Sequence, residues 1–179
     1  MLYMFFAQGF EEVEAIAALD VIRRAGIEIK SVGIGSETVT GSHGITVVCD
    51  TDECDLSVEG IDGIILPGGM PGTNNLLNST KVHEAIEYCS DNGKLLCAIC
   101  AAPLIFGRVG LLKGKEAVCF PGFEDELKGA KISNNYVCTD GNIITAKGMG
   151  SAVNFGLAVV AYFKGQAFAD NLKSTLQCS

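Results

Sequence analysis

Along this chain, short apolar runs of strand length alternate with segments in which apolar residues recur every three or four positions. LYMFFA (2–7) reads as a strand, and EEVEAIAALDVIRRAG (11–26) as a helix with acids in its first turn, where a helix dipole favours them. IEIKSVGI (27–34) and GITVVC (44–49) read as two further strands. GIDGIILPGG (60–69) is a strand running into a glycine turn, STKVHEAIEYCSDNG (79–93) a helix with a serine or threonine start and a glycine stop, and KLLCAI (94–99) another strand. A short helix over about 102–109 comes next, then strands in EAVCF (116–120) and in NYVCTD and NIITA (135–146), the last two parted by the Asp-Gly turn of TDGN. A final long helix covers about 151–164. Strands alternating with helices imply βαβ units, so the predicted fold class is α/β, a mostly parallel sheet with helices on both faces. No linker or internal repeat divides the chain, and residues 1–179 read as a single domain.

Composition narrows the partners. A chain of 179 residues can bury roughly 70% of the surface its unfolded form exposes, enough for one core. The net charge of −8, with no cluster of lysine or arginine, argues against a nucleic-acid groove, which needs a basic patch to neutralise phosphates. The N-terminal apolar run has no basic flank and gives way to Glu11, Glu12 and Glu14, unlike a signal peptide. The longest helix-like apolar segment, about 151–163, falls short of the ~20 residues a membrane span requires. We therefore expect a soluble protein with no membrane and no nucleic-acid partner. Eight cysteines without a secretory signal read as reduced thiols and place the chain in the cytoplasm.

In open parallel sheets, ligands sit outside the carboxyl ends of the strands. Three segments with chemistry in them follow predicted strands: AQGFEEVE, LPGGMPG and CAAP. In KLLCAIC, Cys97 lies mid-strand among apolar neighbours and reads as buried and inert. Cys100 lies where the strand ends and a helix begins, with Ala101 and Ala102 permitting a sharp turn before Pro103. A helix N-terminus favours an anion, so a lowered thiol pKa and a nucleophile are expected there. The arrangement echoes the strand-turn-helix elbow of nucleophilic hydrolases without its G-x-S-x-G glycines. Cys97 and Cys100 also have C-x-x-C spacing, but a dithiol redox motif puts both thiols at the turn, and one of these is inside a strand. Zinc is not expected, because no second C-x-x-C or paired histidine completes a ligand set. GMGSAV (148–153) lacks the third glycine and the following βαβ unit of a dinucleotide fingerprint, so no cofactor is expected either.

Glu14 heads the helical column Ala18, Val21, Ile22 and Ala25, which puts a carboxyl on an apolar stripe. First-turn acids suit the helix dipole in general. A partly buried one also gains a raised pKa and can donate a hydrogen bond to a neighbouring thiolate, for which Cys100 is the natural partner. The backbone N–H groups of Gly69, in LPGG, and of Ala101 could form an oxyanion hole. No G-K-[ST] follows the glycines, so they do not form a phosphate loop.

GFEEVE (9–14), LDVIRRAGI (19–27), LPGG (66–69), AICAAP (98–103) and KGMGSAVNFGLA (147–158) together resemble the ThiJ/PfpI superfamily. Within it, the chain is similar to the branch of the parkinsonism-associated deglycase and its bacterial YajL-like relatives, in order from about residue 2 to 166. The resemblance implies a flavodoxin-like three-layer sandwich, related to class I glutamine amidotransferase domains, that forms a homodimer. It puts Cys100 on the family's oxidation-sensitive nucleophile, Glu14 on its protonated glutamate, and Gly69 and Ala101, with Gly68 beside them, on the oxyanion-binding positions. It implies glutathione-independent conversion of methylglyoxal to lactate, repair of glycated side chains, or a redox-sensing or chaperone role toward unfolded clients. One departure is informative. Some relatives carry a histidine where this chain has Phe120, and only His43 and His83 exist: His83 reads as a surface helix residue, and His43 lies in a turn from which family members reach a pocket across the dimer. Without a Cys–His pair, amide hydrolysis loses roughly 10²–10⁴-fold from acid–base catalysis, which disfavours a peptidase or amidotransferase.

Overall fold

The computed structural model describes residues 1–54 and 56–178. In chain order the elements are β1 (Leu2–Phe6), α1 (Glu12–Arg24), β2 (Ile29–Gly33), β3 (Thr38–Thr40), β4 (Thr46–Val48), β5 (Thr51–Asp52) and β6 (Gly63–Leu66). There follow α2 (Gly72–Leu77), α3 (Thr80–Asp91), β7 (Leu95–Ile99), α4 (Pro103–Arg108), β8 (Glu116–Ala117), β9 (Lys131–Ile132), β10 (Val137–Asp140), β11 (Ile143–Ala146), α5 (Ala152–Lys164) and α6 (Gln166–Thr175). The central sheet has the order β10-β11-β7-β6-β1-β2-β5 and is parallel apart from β10, which pairs antiparallel with β11 at one edge. Among the described residues, no helix is long and apolar enough to cross a membrane.

The two-residue period of the strands decides which helix each side chain meets. Leu2, Met4 and Phe6 join Leu95, Cys97 and Ile99 on one face, under Ala18 and Ile22 of α1 and Phe155 and Val159 of α5. Tyr3 and Phe5 join Ile64, Leu66, Leu96 and Ala98 on the other, under Leu76 of α2, Val82 and Ile86 of α3, and Ile105 and Phe106 of α4. The predicted sheet with helices on both faces is therefore the observed one. The pattern also predicts Cys97 correctly: it is fully buried.

Helices α1 and α5 cross closely because position 156 is glycine. A Cβ there would lie 3.0 Å from Val21 Cβ and 3.2 Å from Ala18 Cα. Gly156→Leu is expected to force the helices apart at a cost of about 1–3 kcal/mol, read as a lower urea midpoint with an unchanged slope.

Three local expectations are corrected, and one helix is added to them. The strand placed at 44–49 is not in the central sheet: Thr46–Val48 folds back on Thr38–Thr40 as an outlying antiparallel pair, and Thr51–Asp52 takes the place beside β2. Of 116–120, only Glu116 and Ala117 form a strand, paired with Lys131 and Ile132. Beyond them the backbone donates to a side chain and a turn carbonyl, Val118 N to Thr145 Oγ1 at 3.0 Å and Phe120 N to Cys100 O at 2.7 Å, so the segment crosses the ends of β7 and β11. The turn in LPGGMPG is a βα connection as its glycines imply, but it leads into a helix the sequence reading did not place, α2 from Gly72. The helix ending at Lys164 is not the last. Gly165, at φ +84°, breaks the chain's course, and α6 then lays Ala169, Leu172 and Leu176 against Val21, Leu157 and Val160.

Candidate active site

Strand β1 lies mid-sheet, with β2 reached on one side and β6 and β7 on the other, so the chain reverses its direction of travel between β1 and β6. The crevice outside the carboxyl ends of such strands is where an α/β sheet binds ligands. Glu14 follows β1, Gly68 and Gly69 follow β6, and Cys100 and Ala101 follow β7. All five residues singled out in the sequence meet at this crevice.

Glu14 is placed by the first turn of α1. Glu11 precedes the helix in an extended conformation, and its carboxylate caps it by accepting from Glu14 N at 2.7 Å. Glu14 itself is 1% exposed. Its Oε2 accepts from Gly68 N at 3.0 Å, and its carboxyl faces the Cys100 thiol and the Met149 backbone N–H. Cys100 is held at φ +65°, a left-handed conformation rare for any residue but glycine, between Cys100 N donating to Ala146 O at 2.9 Å and Cys100 O accepting from Phe120 N at 2.7 Å. This strained elbow lifts the side chain out of the strand, so that Cys100 is half-buried while Cys97 is sealed. The backbone N–H groups of Ala101 and Gly69 both reach the sulfur.

The two glycines have different reasons for being glycine. Gly69 sits at φ +88°, packed against the Gly9–Glu11 backbone. Gly68 leaves the room in which thiol and carboxyl meet: a Cβ there would fall 2.5 Å from Cys100 Cβ and 2.6 Å from Glu14 Oε2. Gly68→Ala is expected to pry the pair apart, costing about 1–3 kcal/mol of stability in a thermal melt and changing the rate at which iodoacetamide alkylates Cys100.

Electrostatics correct one expectation. The thiol is not lowered. Burial, the Glu14 carboxylate's charge and its hydrogen bond push Cys100 up to about 12, while the N–H groups of Ala101 and Gly69 pull the other way. The helix that follows is only six residues long, too short to outweigh a buried acid in contact with the sulfur. Glu14 is pushed up to about 7, mainly by burial, with the thiol hydrogen bond opposing and the Glu11 charge adding. The two groups titrate as a pair. They hold two protons below about 7, and one between about 7 and about 12. In that one-proton state, a proton on Glu14 removes the two carboxylate effects from the sulfur and leaves an anion facing two N–H donors.

Both histidines have other partners. His83 Nε2 lies 2.7 Å from Leu77 O at the end of α2. His43 is exposed and pairs through Nδ1 with Glu12 Oε2 at 2.9 Å, within one chain. Burial would raise Glu12, but donors from the His43 ring and backbone and from Ile45 outweigh it and hold the carboxylate at about 2. The sequence did not single out Glu12, although an acid two residues before a candidate proton carrier, near a turn histidine, was visible there. Glu11, Glu12 and His43 bring three potential ligand atoms within 4.8 Å, but Glu12's oxygens already bind the 42–45 turn.

Beside the pair lies an apolar cavity of about 330 Å³ walled by Phe120, Tyr136, Lys147, Gly148 and Met149. A larger recess, about 470 Å³, lies past the Gly9–Glu11 loop among Gln8, Glu53, Asn75 and Ser79, and its lining includes neither Cys100 nor Glu14.

Likeness to other proteins runs the length of this architecture. The chain is 35% identical over 173 residues to Protein DJ-1 homolog B of Arabidopsis thaliana, which covers 95% of this chain but only 40% of that longer relative. It is 34% identical over 175 residues to the Parkinson disease protein 7 homolog of Danio rerio, covering 95% of this chain and 93% of the relative. An oxidized DJ-1 from Toxoplasma gondii superposes with a TM-score of 0.95 at 30% identity, over 99% of this chain and 98% of that one. The model of the DJ-1/PfpI family matches residues 1–162, which takes in the crevice and every strand that frames it, so the chain belongs to that family.

Proposed function

We propose that this protein is a cysteine-dependent enzyme acting on small α-oxoaldehydes such as methylglyoxal, in the manner of a glyoxalase or deglycase. The observation that carries the reading is the placement of Cys100, lifted out at its left-handed elbow, against the buried carboxyl of Glu14 and beside the N–H groups of Gly69 and Ala101. The Cys100 anion adds to the aldehyde carbon, forming a C–S bond. The displaced electron pair goes to oxygen, where the N–H groups of Gly69 and Ala101 stabilise it and Glu14 supplies its proton. Glu14 then removes the C1 proton of the hemithioacetal and returns it to C2, while the C1 hydroxyl's proton passes to the C2 oxygen. C1 is thereby oxidised to the acyl level as C2 is reduced to an alcohol, so no external oxidant or cofactor is needed. Water hydrolyses the thioester, releases the thiol and yields the 2-hydroxy acid. A glycated side chain presents a related hemithioacetal or aminocarbinol carbon. Peptides lack such a carbon, and amine departure has no histidine to assist it, so casein cleavage is expected to be negligible. The test is consumption of methylglyoxal by the pure protein.

A second reading is a redox sensor, or a redox-regulated chaperone for unfolded clients, in which peroxide converts Cys100 to sulfinate. Half-exposure of this thiol beside two N–H donors favours it, and the T. gondii relative is an oxidized DJ-1. Under both readings Cys100 alone among the eight thiols is expected to become sulfinate in mild peroxide, as peptide mass spectrometry would record. Equal oxidation of Cys178 would remove the special role of the site.

We also propose a homodimer in the cytoplasm. Val13 and Ile16 on α1, with Ile45 and Val48 around the outlying hairpin, leave large apolar side chains exposed on the face of α1 away from the core. A mass of twice 18.8 kDa by light scattering is expected, and a monomer would contradict it.

A further inference from the structure

We infer that the substrate of the Cys100 site carries an apolar alkyl or aryl group on the carbon beside its aldehyde, and that the cavity between Phe120, Tyr136 and Met149 receives it. The inference rests on the aldehyde reading and narrows it to a substrate class.

Three large apolar side chains from three separate segments converge here: Phe120 after β8, Tyr136 before β10 and Met149 before α5, 47%, 68% and 55% exposed. Scattered surface hydrophobics need no explanation, but three around one cavity of about 330 Å³ do. The cavity is continuous with the chemistry. Phe120 N donates to the carbonyl of Cys100, and the Met149 backbone N–H faces the Glu14 carboxyl. Position 148 lies between them and is kept clear by being glycine: a Cβ there would crowd Phe120 Cδ2 at 3.3 Å and lie 3.8 Å from Glu14 Oε1. A substrate with C1 at the Cys100 sulfur and C2 within reach of Glu14 therefore extends its remaining substituent over Gly148 toward the aromatic rings.

The lining decides what that substituent is. It offers almost no polar surface. Its one charged group, Lys147, lies over the Tyr136 ring at 5.4 Å from the centroid, a cation–π contact that occupies the ammonium. A sugar-like chain would lose hydration there without gaining partners. An anionic substituent would meet the Glu14 carboxyl beside Gly148 and a net charge of −8. An apolar chain meets neither penalty.

The decisive series holds the reacting carbons constant: aliphatic α-oxoaldehydes from methylglyoxal to 2-oxohexanal. Each methylene that leaves water is worth about fourfold, so kcat/KM should rise by at least ~tenfold across the series in this half-open cavity. In Phe120→Ser and Tyr136→Ser, the ratio of the longest to the shortest substrate should fall toward one. A second measurement needs no turnover: the rate of Cys100 alkylation by N-butyl iodoacetamide relative to iodoacetamide, divided by the same ratio for a small free thiol. It too should exceed one by roughly tenfold and collapse in both variants. If methylglyoxal is consumed in a Cys100-dependent way but both ratios are flat, the apolar subsite is wrong and the aldehyde reading survives. If no aldehyde is consumed yet the alkylation ratio is high, the subsite stands and the aldehyde reading falls.

Discussion

Cys100→Ser is expected to reduce methylglyoxal consumption by on the order of 10³-fold or more, the scale of losing a covalent nucleophile. A serine hydroxyl in the same place still reaches Glu14, but no state of the pair near neutrality leaves an oxygen anion facing Gly69 and Ala101. The change is nearly isosteric at a half-buried position, so the melting temperature should move by only a few degrees. That combination is diagnostic. A fold-level defect would move both quantities, and a sensor without catalysis would show no wild-type turnover to lose. Five other thiols, Cys49, Cys89, Cys97, Cys119 and Cys138, are buried and pushed up by that burial, and their serine variants should leave turnover intact where they fold. Residual turnover in Cys100→Ser within tenfold of wild type would remove covalent catalysis at this residue.

Much of this site was legible because the signals were local. A strand's two-residue period sends Cys97 inward, and the small residues after Ile99 mark the turn that brings Cys100 out. Glu14 declared itself by interrupting an apolar helical stripe, and that stripe is buried as the spacing implies. What sequence spacing could not carry was energy balance between parts distant in the chain. The start of a helix argues for a lowered thiol, but how deeply the sulfur is buried and how near Glu14 lies depend on packing among β1, β6 and β7. The strand at 44–49 forms, but outside the main sheet, for a related reason. Its alternation is that of a strand, and alternation does not say whether the partner is the main sheet or a neighbour eight residues back. The cavity at Phe120, Tyr136 and Met149 is assembled from three loops, none of which has a pattern of its own.

Glu14→Gln separates the carboxyl's two roles, and its effects run in opposite directions. For turnover, the reactive state holds one proton between Glu14 and Cys100, so wild-type kcat/KM should climb tenfold per pH unit below about 7 and level off above it. An amide can neither accept the thiol's proton nor carry the C1 proton to C2. The variant should therefore lose about 10²–10⁴-fold at pH 7, and its remaining activity should rise only at more alkaline pH, where the buried thiol ionises alone. For stability the sign reverses. Glu14 binds its proton more tightly in the folded state, at about 7 against an ordinary 4.5, so the folded protein holds more protons than the unfolded chain between those values and stability falls as pH rises through them. The penalty is absent below about 4.5 and complete above about 7, and at 1.36 kcal/mol per unit it amounts to about 3 kcal/mol. Glu14→Gln has no carboxylate to desolvate, so urea unfolding should show wild type weakening between pH 5 and pH 8 while the variant stays level and becomes the more stable protein at the alkaline end. An acid that costs the folded protein stability at the pH where it works is explained by the proton it holds for Cys100, and parallel pH–stability curves for the two proteins would deny that explanation.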